Sequence, residues 1–282
     1  MEIRGGDEIT KTTPIIKTKD LAIGYDEVIA SGINLTVMPG EIISIVGPSG
    51  IGKTTLLRTL AGLISPINRT ELTNLDKGEL GYIPQRLGLV RHASVNHNVM
   101  LGAIAGSDSK SSIIGKSLGG LSLGICGLII GNSLGGLMSP LILSIIGIFI
   151  GTLVGDLLAA FFYMPNKLSI AFTNEAIRTL GLEDKIDEPI RRLSGGQQRR
   201  VATARTLAQK PKLILADEFL SELDETNIEI VSNAVKNYVM ENNAALVIVE
   251  HDIERARELS TRMLRFEKGK LIDSNQITEA EE

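Results

Sequence analysis

Gly47-Pro48-Ser49-Gly50-Ile51-Gly52-Lys53-Thr54-Thr55 separates two runs of opposite character. Before it, residues 41–46 form a compact run rich in β-branched residues and bounded by glycine, as a buried strand should be. After it, residues 54–63 carry apolar side chains at helical spacing. Residues 47–54 fit the pattern G-x-x-x-x-G-K-[ST], and that spacing has a mechanical basis. Glycines let the main chain turn tightly enough for several N–H groups to point inward at the β- and γ-phosphates of a nucleotide, and the following helix adds its positive N-terminal end. Lys53 then supplies a point charge, and Thr54 places a hydroxyl on Mg²⁺.

Outward from this loop the same alternation repeats. Residues 17–25 and 33–38 read as short strands ending at turns, the second closed by Pro39-Gly40. Residues 212–216 and 244–249 are short apolar runs preceded by the helix-like stretches 194–209 and 226–241. Strands alternating with helices predict an α/β layer with a mostly parallel sheet. The run 212–216 ends in Asp217-Glu218, two carboxylates suited to different tasks: Asp217 to the metal, Glu218 to polarising an attacking water.

At Leu193-Ser194-Gly195-Gly196-Gln197 the chain resembles the ATP-binding-cassette ATPases, whose signature is an LSGGQ sequence. The resemblance implies a P-loop NTPase fold with a mostly parallel core sheet, an antiparallel β subdomain and a helical subdomain. It also implies roles for further residues, in family order. Tyr25 is similar to the aromatic residue that stacks on adenine, and Gln85 in Tyr82-Ile83-Pro84-Gln85 to the glutamine of the Q-loop, a metal-contacting and catalytic position. Ser221-Glu222-Leu223-Asp224 is similar to the D-loop, and His251 in Val249-Glu250-His251-Asp252 to the switch histidine that senses the γ-phosphate. Glu218 takes the place of the catalytic carboxylate, and Thr54 and Asp217 those of the Mg²⁺ site.

Ser194, Gly195, Gly196 and Gln197 stand where a helix should begin, so their donors form a second anion site beside the one at Lys53. As in the family, two copies would face head to tail, each signature closing on the ATP held by the other copy's loop. Two positions depart from the family pattern: Phe219 replaces a common proline, and Glu222 a common small residue. They bear on dimer coupling and remove no reacting group. Arg191-Arg192 and Arg199-Arg200 read most simply as solvated charges on the signature helix, with contact to a partner as the alternative, and His92 and His97 as surface residues.

The 282 residues are 43% hydrophobic with 29 glycines, one cysteine and a mean hydropathy of +0.17, which excludes a disordered chain and a disulfide scaffold. A net charge of −4 offers no basic surface for nucleic acid. The polar first twenty residues carry no secretory signal, which predicts a cytoplasmic location for the bulk of the chain. The apolar excess is concentrated: residues 103–164 hold 12 of the 29 glycines and four charges, and residues 117–155 hold no charge.

Gln85 and Ser194 lie 109 positions apart, roughly twice the spacing the family leads one to expect, and the excess corresponds to this block. A bilayer core of ~30 Å needs ~20 helical residues per crossing, so two spans fit, at 113–130 and 141–161, broken by the Gly-, Asn-, Ser- and Pro-rich residues 131–140. Lys110, Lys116 and Lys167 flank the outer ends, which puts both on the cytoplasmic side. The chain thus divides into residues 1–102 (P-loop and Q-loop), an apolar insertion at 103–164, and residues 165–282 (signature, paired acids and switch histidine). The competing reading of the insertion is a soluble glycine-rich hairpin covered by a partner protein.

The expected function is the ATP-binding and ATP-hydrolysing subunit of a membrane transporter, working with separate membrane-spanning subunits at the cytoplasmic face, and anchored there by its own hairpin at 113–163. The rival reading is a cassette ATPase that acts on a protein partner instead of moving solute.

Overall fold

The computed structural model describes residues 13–68, 75–76, 78–107, 167–221 and 223–273. Strands β1 (Ile16–Gly24) and β2 (Val28–Val37) form an antiparallel hairpin. Along β2 the side chains of Ala30, Ile33, Leu35 and Val37 turn inward between exposed neighbours, the alternation expected of a sheet with one wet face. The strand begins five residues before the expected 33, because Gly24 pairs with Val28 and Ile23 with Ala30. In the sequence Ser31-Gly32 interrupts the apolar run there, and Gly32 takes a φ of 74° within the strand.

The chain then runs through β3 (Ile42–Val46), α1 (Lys53–Leu60), β4 (Leu80–Ile83), α2 (Val95–Ser107), α3 (Lys167–Thr179) and α4 (Gly195–Ala208). It continues with β5 (Leu213–Asp217), α5 (Glu225–Asn242), β6 (Ala245–Glu250), α6 (Ile253–Leu259), β7 (Arg262–Glu267) and β8 (Lys270–Asp273). Six strands make one sheet in the order β4-β5-β6-β3-β7-β8, parallel throughout except for the β7–β8 pair. β3, β5 and β6 are buried along their whole length, which is why they read as continuous apolar runs.

The two faces of that sheet feed two cores with a period of two. Ile43 and Ile45 of β3, Leu213 and Leu215 of β5, and Val247 and Val249 of β6 pack with α1 and the β1–β2 hairpin. Ile42, Ile214, Ala216, Leu246 and Ile248 face the other way, onto a layer that includes α2, α4 and α5. α2 crosses α4 at very close range: a Cβ at Gly102 would stand 1.8 Å from the Arg205 carbonyl oxygen, and one at Gly106 1.8 Å from that of Gln209. Only hydrogen fits at either position.

Residues 103–107 of the apolar block form the end of α2, and Ala103 is buried in the second core. Residues 108–164, with the expected spans at 113–130 and 141–161, lie outside the described residues. Among the described residues no helix is long and apolar enough to cross a membrane.

Candidate functional site

The phosphate loop sits where β3 ends and α1 begins, at the carboxyl edge of the parallel strands. Gly47 and Gly52 are required by the turn itself, with φ of 156° and 108°. A Cβ on Gly47 would come within 2.6 Å of the Phe266 carbonyl oxygen, and one on Gly52 within 2.9 Å of Ile29 Cγ2. Lys53 is 5% exposed, and its Nζ donates to the carbonyl oxygens of Gly47 and Pro48 at 2.7 and 2.8 Å. Burial lowers the affinity of this amine for its proton, while the charges of Glu218 and Asp217 oppose that effect. The ammonium is thus held over the loop by carbonyls and two nearby acids.

Thr54 Oγ1 donates to Asp217 Oδ1 at 3.0 Å, joining the first turn of α1 to the end of β5. Asp217 is 1% exposed; burial pushes its carboxyl above the usual aspartate range, and the Thr54 hydrogen bond pulls the other way. A hydroxyl beside a buried carboxylate is a pair of hard oxygen donors, the chemistry that suits Mg²⁺. Gln85 uses its amide nitrogen on Glu218, so its amide oxygen is the donor it has to offer a cation.

Glu218 is the centre of a second set of contacts. Its backbone is left-handed, φ 49°, an uncommon and strained state for a residue other than glycine. Three bonds hold it there: its N–H donates to Val249 O at 3.0 Å, and its carbonyl accepts from Ser221 N at 3.2 Å and Ser221 Oγ at 2.7 Å. The carboxylate is gripped from both sides. Gln85 Nε2 donates to Oε2 at 2.8 Å, and His251 Nε2 meets Oε1 in a short contact. Gln85, Glu218 and His251, expected from separate sequence elements, therefore meet in one cluster.

These groups open onto a cavity of about 450 Å³ lined by Ile29, Ser49, Gly50, Gly52, Lys53, Thr54, Thr55, Gln85, Glu218 and His251. Ile29 belongs to no motif; its signal in the sequence is only an apolar residue on a strand's exposed side. Tyr25 does not line this cavity. It stands just after β1, 56% exposed, with its hydroxyl accepting from Arg58 Nη1 at 3.4 Å. Ser194, Gly195, Gly196 and Gln197 also lie off the cavity, at the start of α4. Ser194 caps that helix and Gln197 completes a reciprocal capping box, with bonds of 3.2 and 2.9 Å. A Cβ on Gly195 would meet nothing within 4 Å among the described residues, so on their side the main chain there is open to an incoming group.

One expectation is corrected. Arg199, read as a solvated charge, is 6% exposed. Its place on α4 directs it inward, where its Nη1 and Nη2 reach the carbonyl oxygens of Gln85 and Ser221 at 3.4 and 3.5 Å. Arg200 likewise donates to Leu180 and Gly181 carbonyls, at 3.1 and 3.2 Å. His92 and His97 are exposed, as expected, and Glu222 lies outside the described residues. Phe219 is fully buried in the core behind the acids, where a large apolar side chain fills space.

A phosphate loop joining a buried parallel strand to a helix, with paired acids at the end of a nearby strand, defines a P-loop nucleotide hydrolase. The model of the ABC transporter family matches residues 30–221, and the chain belongs to that family. The chain is 29% identical over 267 residues to the L-cystine transport system ATP-binding protein TcyN of Escherichia coli, covering 88% of this chain and 84% of that protein. It is 27% identical over 253 residues to the phosphonates import ATP-binding protein PhnC 2 of Halalkalibacterium halodurans, covering 85% of this chain and 84% of that one. Among solved structures, the ATP-binding cassette MJ0796 in a dimeric post-hydrolysis state bound to ADP and Pi superposes with a TM-score of 0.60 at 25% identity, over 91% of this chain and 96% of that one. The chain is the ATP-binding and ATP-hydrolysing subunit of an ABC transporter.

Proposed function

We propose that the chain energises solute transport by closing as a head-to-tail dimer around two ATP molecules and hydrolysing them at the Gln85–Glu218–His251 cluster. The single observation that carries this reading is the double grip on the Glu218 carboxylate at the mouth of the phosphate-loop cavity. In this reading residues 47–55 hold the phosphates and Tyr25 stacks on the adenine. Thr54, Gln85 and Asp217 hold Mg²⁺, which when bound neutralises charge on the β- and γ-phosphates. Glu218 accepts the proton of the attacking water. His251 orients Glu218 and senses the γ-phosphate, and Gln85 holds the other carboxylate oxygen.

Ser194, Gly195, Gly196 and Gln197 lie off this cavity, and that separation supports a composite site in which they serve the ATP of a second copy. The similar solved cassette, dimeric and bound to ADP and Pi, supports a dimer. Relatives named for phosphonate import and L-cystine transport support coupling to separate membrane-spanning subunits at the cytoplasmic face. The division into residues 1–102, 103–164 and 165–282, with a membrane hairpin at 113–163, rests on the charge-free run 117–155.

Glu218→Gln tests the reading: it should abolish hydrolysis while trapping an ATP-bound dimer, seen by size-exclusion chromatography with light scattering. Unchanged turnover would refute the role of Glu218. Recovery of the full chain with a polytopic partner only in detergent is the expected companion result. A soluble complex formed without detergent would overturn both the transporter partner and the hairpin.

A further inference from the structure

We propose that Arg199 is a positioning residue for hydrolysis, tying the signature helix to the two backbone segments that hold Glu218. The inference rests on the reading of Glu218 as the group that activates water.

Arg199 lies five residues after the cap Ser194, in the first turns of α4. A guanidinium stays charged under all physiological conditions, so burying it to 6% exposure is costly unless its donors find acceptors. The acceptors include two carbonyls from segments distant in sequence. Nη1 reaches Gln85 O at 3.4 Å and Nη2 reaches Ser221 O at 3.5 Å. Both carbonyls belong to residues whose side chains touch Glu218. Gln85 Nε2 donates to the Glu218 carboxylate at 2.8 Å, and Ser221 Oγ donates to the Glu218 carbonyl at 2.7 Å. One planar fork therefore spans the Q-loop and the turn after Glu218, and through them bears on both the carboxylate and the left-handed backbone of the acid.

The fork also has a direction of action. Ser194 and Gly195 open toward an incoming group, while Arg199 on the same short stretch points back into its own chain. When the signature of one copy closes on the ATP of the other, the start of α4 bears a load that Arg199 passes to Gln85 and Ser221, hence to Glu218. Occupancy of one ATP site thereby sets the acid of the other. Lysine at this position keeps the charge but reaches one carbonyl at a time, and methionine keeps the length and loses both bonds.

The test is steady-state ATP hydrolysis by the full chain in its complex, with Arg199→Lys, Arg199→Met and Glu218→Gln compared side by side. Arg199→Lys should lower kcat about tenfold, leave KM for ATP within twofold and flatten the dependence of rate on ATP toward a Hill coefficient of one; Arg199→Met should lose more of kcat. Arg199→Lys retains a buried positive charge and serves as the folding-safe variant, checked by its melting temperature and nucleotide binding. Wild-type kcat and cooperativity in Arg199→Lys, with Glu218→Gln inactive, overturn the proposal and leave the reading of Glu218 intact. A raised KM with unchanged kcat also overturns it, since that is the mark of a site that only binds. If Glu218→Gln turns over normally, the underlying reading fails instead.

Discussion

Thr54 Oγ1 donates to Asp217 Oδ1 at 3.0 Å, so the first turn of α1 and the end of β5 meet beneath the phosphate cavity. The pair satisfies a carboxylate that burial would otherwise leave costly, and in the proposed reading the same oxygens hold the divalent cation. Asp217→Asn keeps the shape and removes the charge. It should lower Mg²⁺-dependent hydrolysis by about 10²-fold or more, while the melting temperature stays near or above that of the wild type because the buried charge is gone. Hydrolysis rates across a Mg²⁺ titration check this, and an undiminished rate would remove Asp217 from the metal site.

His251 touches the oxygen of Glu218 opposite to the one held by Gln85. Truncation to alanine frees one side of the carboxylate and leaves the phosphate loop untouched. The expected result is a kcat about 10²-fold lower, with ATP binding by equilibrium titration little changed. Loss of binding in step with rate would show that His251 holds nucleotide and has no part in aligning the acid.

Glu250 precedes His251 at the end of β6, 3% exposed, with Oε1 lacking a hydrogen-bond partner among the described residues. Burial pushes its carboxyl from 4.5 up to about 7, against a stabilising bond from the Leu220 backbone. Because the folded value lies above the unfolded one, the stability this group contributes is fully present below about pH 4.5 and is lost as pH rises through about 7. Glu250→Gln cannot ionise. Its stability relative to wild type should rise between those two pH values and level off above them, by up to about 3 kcal/mol. Urea unfolding at a series of pH values measures it, and parallel curves for the two proteins would disprove it.

Gly102 lies against the Arg205 carbonyl, 1.8 Å from where a Cβ would stand. The obstacle is backbone, so no rotamer change relieves it and α2 must move away from α4. Gly102→Ala should destabilise the chain by about 1–3 kcal/mol despite the better helix propensity of alanine. Thermal unfolding checks this; a stabilised variant would mean that α2 shifts at no cost.

Much of the site was legible in the order of residues because its parts are short contiguous motifs whose chemistry depends on local spacing. The phosphate loop needs its glycines at Gly47 and Gly52 for turns that no other residue makes cheaply, and the acids stand at the end of a run buried on both faces. Ser194 and Gln197 announce a helix start through a reciprocal cap three residues wide. Each of these is a local constraint, visible wherever the chain is read.

What the linear order could not decide was every contact made by side chains that leave their own element. Arg199 reads as one charge among several on a helix, and only the packing of α4 against the Q-loop and the turn after Glu218 turns it inward. Ile29 reaches the cavity because the hairpin folds over the phosphate loop, and Gly102 is obligatory only because α2 crosses α4 at that residue. By itself the sequence determined a phosphate-binding loop between a buried strand and a helix, with paired acids at a second strand end, since glycines and acids act over a few residues, and at residues 193–197 it carried the resemblance to the ABC transporter family. The tertiary structure alone decided that Gln85 and His251 grip one carboxylate from opposite sides, because that convergence depends on strand order and helix packing, which join residues 133 and 33 positions apart.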